Sequence, residues 1–341
     1  MIYCQFCKAP THSACSKVGL NLGRHNYFCK RCHDKKTAFR RVLNSVLSDD
    51  QKSASNHLPN SSTNLDSYAN IDDLNSILKT KTVGDILIAH INSVSLQAHF
   101  DSISSLINNK MHKPPDVICF SETRLKDDKI DYQANFVDLP NYELFYDNSP
   151  TCAGGVAVYV RTNVFDFKLR SDLKFQVADC ESVFIEISVS PKNSNHRASR
   201  DSFIVGGVYR HPRTTTTEIT LFVEEMYKKL EVLVNKNIPL MILGDINIDV
   251  SQKDDDNVLR YVNMLSSIGC ENLIDINTRF SAKSRSTLDH ILTNVDQERI
   301  LSGVLNYPIT DHLPIFAVVK NQFDPNLTKK DENSNNFWRF F

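Results

Sequence analysis

Six small polar clusters, all set at the ends of short apolar runs, constrain this chain more than anything else in it. The runs at 86–91, 117–120, 203–208 and 240–243 read as buried strands. They stop at Asn92, at Ser121-Glu-Thr123, at Tyr209-Arg-His-Pro212 and at Gly244-Asp-Ile-Asn247. The other two clusters, Ser286-Thr-Leu-Asp-His290 and Thr310-Asp-His-Leu-Pro314, adjoin strands expected at 288–293 and 313–319. Asp245 and Asn247 are two residues apart, a spacing that puts both side chains on one face of an extended chain. Such a pair holds water, metal or phosphate; the alternative is an Asx turn that closes the strand.

From residue 83 onward the alternation is steady. Further strands are expected at 142–146, 155–160 and 183–189, and helices at 97–109, 217–235 and 257–268. Leu221, Phe222, Met226, Leu230 and Leu233 share one side of the second helix. Strands outnumber helices, and only some are separated by helices. The expected fold is therefore α+β, a four-layered sandwich of two mixed β-sheets packed face to face with helices outside, spanning 83–322. Strand ends brought to one rim of such a sandwich would gather Glu122, Asp245, Asp289 and Asp311 with Asn92, Asn247, Tyr209 and His312. Carboxylate and amide oxygens without thiolates suit a hard cation such as Mg²⁺. Several carboxylates cannot crowd together ionised unless a cation or a proton offsets them. Asp249 reads as a surface or turn residue.

The first quarter is different in kind. Five of the nine cysteines fall in its first 32 residues, and residues 1–48 carry nine Lys/Arg against the single acid Asp34. That basic head either contacts nucleic acid or is a solvated face. Cys4-x2-Cys7 and Cys29-x2-Cys32 supply one four-thiolate Zn²⁺ site, and His12-x2-Cys15 supplies half of another. A short basic helix at 34–48, with Phe39, Val42, Leu43 and Val46 as its apolar face, leads into a disordered polar linker up to 82. Residues 323–341 read as a polar tail with an apolar end, Phe337-Trp-Arg-Phe-Phe341. No apolar run approaches the roughly 18–20 residues that span a bilayer, and the N-terminus lacks the apolar core of a signal peptide. A reducing intracellular compartment is expected, with Cys119, Cys152, Cys180 and Cys270 as core residues.

Two resemblances rest on these motifs. Cys7-x4-His12-x2-Cys15, with Tyr27-Phe28 ahead of Cys29, resembles a PHD-type zinc finger. That family has a further Cys pair upstream, so residues 1–33 correspond to a truncated finger whose second zinc site has only His12 and Cys15. The segments Ser121-Glu-Thr-Arg-Leu125, Gly154-Gly-Val-Ala-Val-Tyr-Val160, Gly207-Val-Tyr-Arg-His-Pro212, Gly244-Asp-Ile-Asn247, Ser286-Thr-Leu-Asp-His-Ile291 and Thr310-Asp-His-Leu-Pro314 together resemble the endonuclease/exonuclease/phosphatase superfamily. Within it they are most similar to the endonuclease domains of non-LTR retrotransposons.

This second resemblance implies a DNase I-like fold and a Mg²⁺-dependent (or Mn²⁺-dependent) DNA endonuclease that leaves a 3′-hydroxyl. Glu122 would be the principal Mg²⁺ ligand, with Asn92 and Asp311 assisting. His312, oriented by Asp289, would act as general base or as phosphate-binding cation. Asp245 would position or deprotonate the attacking water, and Asn247 and Tyr209 would donate to the phosphate. Two departures are visible. Val94 stands where many relatives have a carboxylate, which counts against a second metal site, and Thr310 replaces the usual Ser while keeping a hydroxyl. The rivals are a phosphatase of the same fold acting on inositol phosphates or phospholipid, and a decayed fragment that only binds zinc or DNA. The implied partner is DNA, with no membrane. No reverse-transcriptase segment is recognised, so nicking alone is expected. The nucleus is inferred from the substrate, with the cytoplasm otherwise.

Overall fold

The structure, a computed structural model, describes residues 68–320 except 83, 127–135, 151–152, 189–201, 213–214 and 283, together with the backbone of Ile2–Tyr3 and Pro10–Thr11. The chain divides into two units, Met1–Thr63 and Asn64–Phe341. In the first, Ile2–Tyr3 pairs antiparallel with Pro10–Thr11. The expected zinc ligands Cys4, Cys7, His12, Cys15, Cys29 and Cys32, the basic helix and the C-terminal tail lie outside the described residues.

The second unit opens with α1 (Ile71–Lys79), β1 (Ile86–Asn92) and α2 (Leu96–Ser105). Five strands follow: β2 (Val117–Ser121), β3 (Tyr142–Asp147), β4 (Val156–Arg161), β5 (Asp166–Leu169) and β6 (Cys180–Ser188). Next come β7 (Ser202–Arg210), α3 (Thr216–Asn235), β8 (Leu240–Asp245) and α4 (Asp256–Ser267). The short strands β9 (Glu271–Asn272), β10 (Arg279–Phe280) and β11 (Arg285–Ser286) precede β12 (Asp289–Thr293), β13 (Ile300–Val304) and β14 (Ile315–Val319). One six-stranded sheet has the order β13-β14-β1-β2-β4-β3 and the other β9-β12-β8-β7-β6-β5, while β10 and β11 form a separate hairpin. Only β1 with β2 and β7 with β8 pair in parallel; the other pairs of these strands are antiparallel. Two mixed sheets face to face are what the strand-rich pattern predicts.

Burial on both faces explains why the central strands read as unbroken apolar runs. On β7, Phe203, Val205 and Tyr209 enter the core between the sheets, whereas Ile204 and Val208 pack toward the helices. On β8, Met241 and Leu243 point inward, and Leu240 and Ile242 outward. Phe222, Met226 and Leu230 of α3 and Tyr261 and Leu265 of α4 complete that outer layer. A capping box between Thr215 and Glu218 starts α3, and the Asp255 side chain caps α4. A Cβ at Gly207 would come within 2.8 Å of Val158 Cγ2, so the sheets approach this closely only because that position has no side chain.

The polar linker expected up to 82 does not extend through α1. Asn70 caps that helix by accepting from the Asp72 and Asp73 N–H groups, and Leu74, Ile77 and Leu78 are buried along one face. Three apolar residues at i, i+3 and i+4 suffice for docking, but polar neighbours dilute them in the composition. The helix expected at 97–109 ends at Ser105 and continues as a π-helical turn, Leu106–Lys110. Strands β5 and β13 lie at sheet edges and are half-exposed, so they lack the apolar run that marks the others. Cys119, Cys180 and Cys270 are buried, as expected. Among the described residues no helix is long and apolar enough to cross a membrane.

Candidate active site

Register decides what meets at the rim. In one sheet Asn92 pairs with Ser121, so Asn92 and Glu122 leave adjacent parallel strands at the same level. In the other, Asp289, Asp245, Tyr209 and Glu181 are successive cross-strand partners in one row, and such neighbours share a face. Asn92 joins the two sheets: its Nδ2 donates to Glu122 Oε1 at 3.1 Å and to Asp245 Oδ2 at 2.9 Å. Its Oδ1 accepts from the Val94 N–H at 3.0 Å, which determines the end of the amide that faces the acids. Asn92 thus meets the carboxylates as a donor, not with the oxygen that a metal ligand presents. Glu122 sits in a left-handed turn (φ 49°), as does Arg124 (φ 55°). The turn is tied back by Thr123 N–H to Gly155 O (3.2 Å) and Arg124 N–H to Gly154 O (2.9 Å).

Asp289 and His312 form a fully buried ion pair, with His312 Nδ1 donating to Asp289 Oδ2 at 2.8 Å. Burial opposes charge on His312, but the charge and hydrogen bond of Asp289, with Asp245 and Asp311 behind it, outweigh that and raise its pKa to about 9. His312 therefore holds its proton at neutral pH, with Nε2–H as its second donor. Asp245 is raised to about 7, first by burial and then by Asp289, with Glu122 adding to the rise and His312 opposing it. The hydroxyl of Thr310 donates to Asn92 O at 3.0 Å and accepts the His312 N–H at 3.1 Å.

The Gly244-Asp-Ile-Asn247 stretch is a turn and a site at once. Asn247 is left-handed (φ 51°), and its N–H donates to Asp245 Oδ1 at 3.0 Å. The extended geometry expected from period-2 spacing ends at Asp245. The Asn247 side chain is placed by Arg210 instead: Asn247 Nδ2 donates to Arg210 O, while the Arg210 guanidinium donates to Asn247 O, both at 2.7 Å, and to Ile246 O at 2.8 Å. Tyr209 is buried, its ring edge-on to His211 at 4.9 Å. Burial, then Glu122 and Asp245, push its phenol well above the usual range, so it stays protonated as a donor. Asp311, expected beside the metal, is exposed and paired with Arg279 Nε at 2.9 Å.

Several residues of the site carried no sequence signal of their own. His90 is fully buried, 3.0 Å from Ser121 Oγ through Nε2, with Nδ1 facing Asp289 Oδ1 at 3.6 Å. Burial lowers its pKa to about 4, so it is neutral. Thr278 Oγ1 accepts the Asp289 N–H at 3.1 Å. Arg210 and Arg279 lie inside motifs visible in the sequence, but their partners are set only by the fold.

The donors suit a divalent cation. Asp245, Asp289 and His312 each offer an atom within 4.8 Å of the others. A protonated imidazole has no lone pair for a metal, so the carboxylates of Glu122 and Asp245 are the better holders. Burial first, then the neighbouring acids, disfavour the charged form of Asp245, a cost that a hard cation would offset.

A family model described as "Endonuclease/Exonuclease/phosphatase family" matches residues 88–312. Among solved structures, an AP endonuclease (LMAP) from Leishmania major is similar at a TM-score of 0.56 and 13% identity, covering 70% of this chain and 88% of that one. An AP endonuclease from Archaeoglobus fulgidus matches at 0.50 and 17%, covering 69% and 100%. The Xenopus laevis APE2 catalytic domain matches at 0.50 and 15%, covering 70% and 94%. At these identities the likeness is one of fold. No curated protein matches the chain at the sequence level.

Proposed function

This chain belongs to the endonuclease/exonuclease/phosphatase family, and from that membership we propose that it is a Mg²⁺-dependent DNA endonuclease of non-LTR retrotransposon type. The observation that carries the reading is the His312–Asp289 ion pair beside a Glu122–Asp245 pair spanned by Asn92. DNA as substrate is supported by the exposed Arg124 and Arg285 and the half-exposed Arg279, cations near this rim that suit a polyanion. The retrotransposon assignment rests on motifs such as Arg279-Phe-Ser-Ala-Lys-Ser-Arg-Ser286. A nuclear location follows from the substrate. In the same reading Cys4, Cys7, Cys29 and Cys32 hold Zn²⁺ in a truncated finger.

Mg²⁺ held by Glu122 and Asp245 would supply Lewis-acid stabilisation of charge on a phosphate oxygen. The His312 imidazolium donates Nε2–H to the scissile phosphate, and the protonated Tyr209 phenol and the second Asn247 N–H add donors as charge builds. Asp245 positions the attacking water, whose proton passes to solvent as the new O–P bond forms. The P–O3′ bond breaks, the phosphate stays on the 5′ side, and the 3′-oxygen takes a proton from solvent.

Supercoiled plasmid is nicked in Mg²⁺ and left intact in EDTA, and His312→Ala lowers the rate by about 10²-fold or more while remaining folded. If His312→Ala nicks as fast as the parent, the assignment is wrong. Phosphate release from inositol phosphates without nicking would transfer it to the phosphatase reading.

A further inference from the structure

Tyr68 lies ahead of residue 88, where the family match begins, yet it reaches the catalytic rim. Its backbone is anchored by its neighbour: Ala69 N–H donates to Val304 O at 3.0 Å, and Ala69 O accepts the Asn306 N–H at 2.7 Å, a parallel bridge alongside β13. From that anchor the side chain turns to segment 277–280. The Tyr68 hydroxyl donates to Asn277 O at 3.0 Å. The Tyr68 ring meets Phe280 edge-on, centroids 6.0 Å apart.

Between these two contacts lie Thr278 and Arg279, and together the four residues form the seam between Asp289 and His312. On one side Thr278 Oγ1 accepts the Leu288 and Asp289 N–H groups at 3.2 and 3.1 Å. On the other, Thr278 O accepts the Leu313 N–H and Phe280 N–H donates to Asp311 O, both at 2.8 Å. Arg279 adds its ion pair to Asp311. The strip thus links the segments that carry Asp289 and His312, while its own strand, β10, is two residues long and belongs to neither sheet. A two-residue hairpin is weak support by itself. Tyr68 grips the strip at both ends, and Arg285 lies over the Phe280 ring at 5.7 Å.

We propose that Tyr68 is a positioning residue for the His312–Asp289 pair, so that the segment before the family domain is part of the catalytic scaffold. The proposal rests on the nuclease reading of His312. Removing the Tyr68 ring lets the strip shift relative to Asp289, and displacements of about 1 Å in a catalytic constellation cost up to about 10²-fold in rate.

In the full chain, Tyr68→Ala lowers the kcat of plasmid nicking about tenfold and leaves KM within about twofold, while Tyr68→Phe, which keeps the ring, loses about twofold. A second readout is independent of turnover. The Nδ1–H proton of His312, assigned in the proton NMR spectrum by its loss in His312→Ala, shifts or broadens in Tyr68→Ala. If Tyr68→Ala does not fold, Tyr68→Leu is read in its place, and if neither folds Tyr68→Phe decides. A variant that melts earlier but keeps the parent kcat and the parent resonance overturns the proposal, because Tyr68 then only stabilises. Should the parent protein fail to nick at all, the nuclease reading falls, and the resonance still decides the placement of Tyr68.

Discussion

Asp245 and His312 both hold protons more tightly than they do in water, for opposite electrostatic reasons. Asp245 is buried among acids that penalise its negative charge, whereas Asp289 rewards the positive charge of His312. The His312 shift has a consequence for stability. Its folded-state pKa, about 9, lies above its ordinary 6.5, so the stabilisation is complete below pH 6.5 and lost as pH rises through 9. In EDTA, unfolding free energy should therefore fall by on the order of 3 kcal/mol between pH 6.5 and 9. Urea titrations of the parent and of His312→Gln at the two pH values check this; equal slopes in both proteins would show that His312 is not the group responsible. Asp245, Asp289 and His312 were legible in the sequence because each stands in a compact polar motif. His90 and Thr278 were not, since a lone His in an apolar strand and a Thr before an Arg acquire meaning only once Asp289 is beside them.

At the scale of elements, two-sided burial made the central strands visible, and half-exposure concealed β5, β13 and α1. Helix α1 is the instructive case. Its stripe of Leu74, Ile77 and Leu78 is buried, yet the surrounding Asn, Asp and Ser give the composition of a linker. Leu78 is fully buried, so Leu78→Ala should cost about 2–4 kcal/mol. An unchanged denaturation midpoint would return residues 71–79 to the status of linker. The 240–247 stretch divides at an element boundary. Its strand half, through Asp245, is set by pairing with Tyr209 and Asp289. Its turn half, at Asn247, is set by the buried Arg210 guanidinium, which satisfies the carbonyls left over where β8 ends.

For the molecule as a whole, acids crowd at a rim to which both sheets contribute, so a divalent cation bound there should hold the two sheets together. Mg²⁺ binding to the folded state alone raises stability by mass action. Adding Mg²⁺ to EDTA-treated protein should raise the thermal midpoint, and Glu122→Gln should shrink that rise. An equal rise in Glu122→Gln would place the cation elsewhere. The sequence by itself determined the strand-rich architecture and the chemical character of each polar cluster, because apolar periodicity and contiguous motifs are local properties of a chain. Only the tertiary structure decided which clusters touch. Asn92 reaches Asp245 across the sandwich and Tyr68 reaches Asn277 across the rim because of strand register and sheet packing, which no local pattern encodes. The same closure settled protonation. His312 keeps its proton because the fold sets Asp289 against it, and the Asp245–Asn247 turn closes where Asn247 N–H meets Asp245 and the Arg210 guanidinium meets Asn247 O.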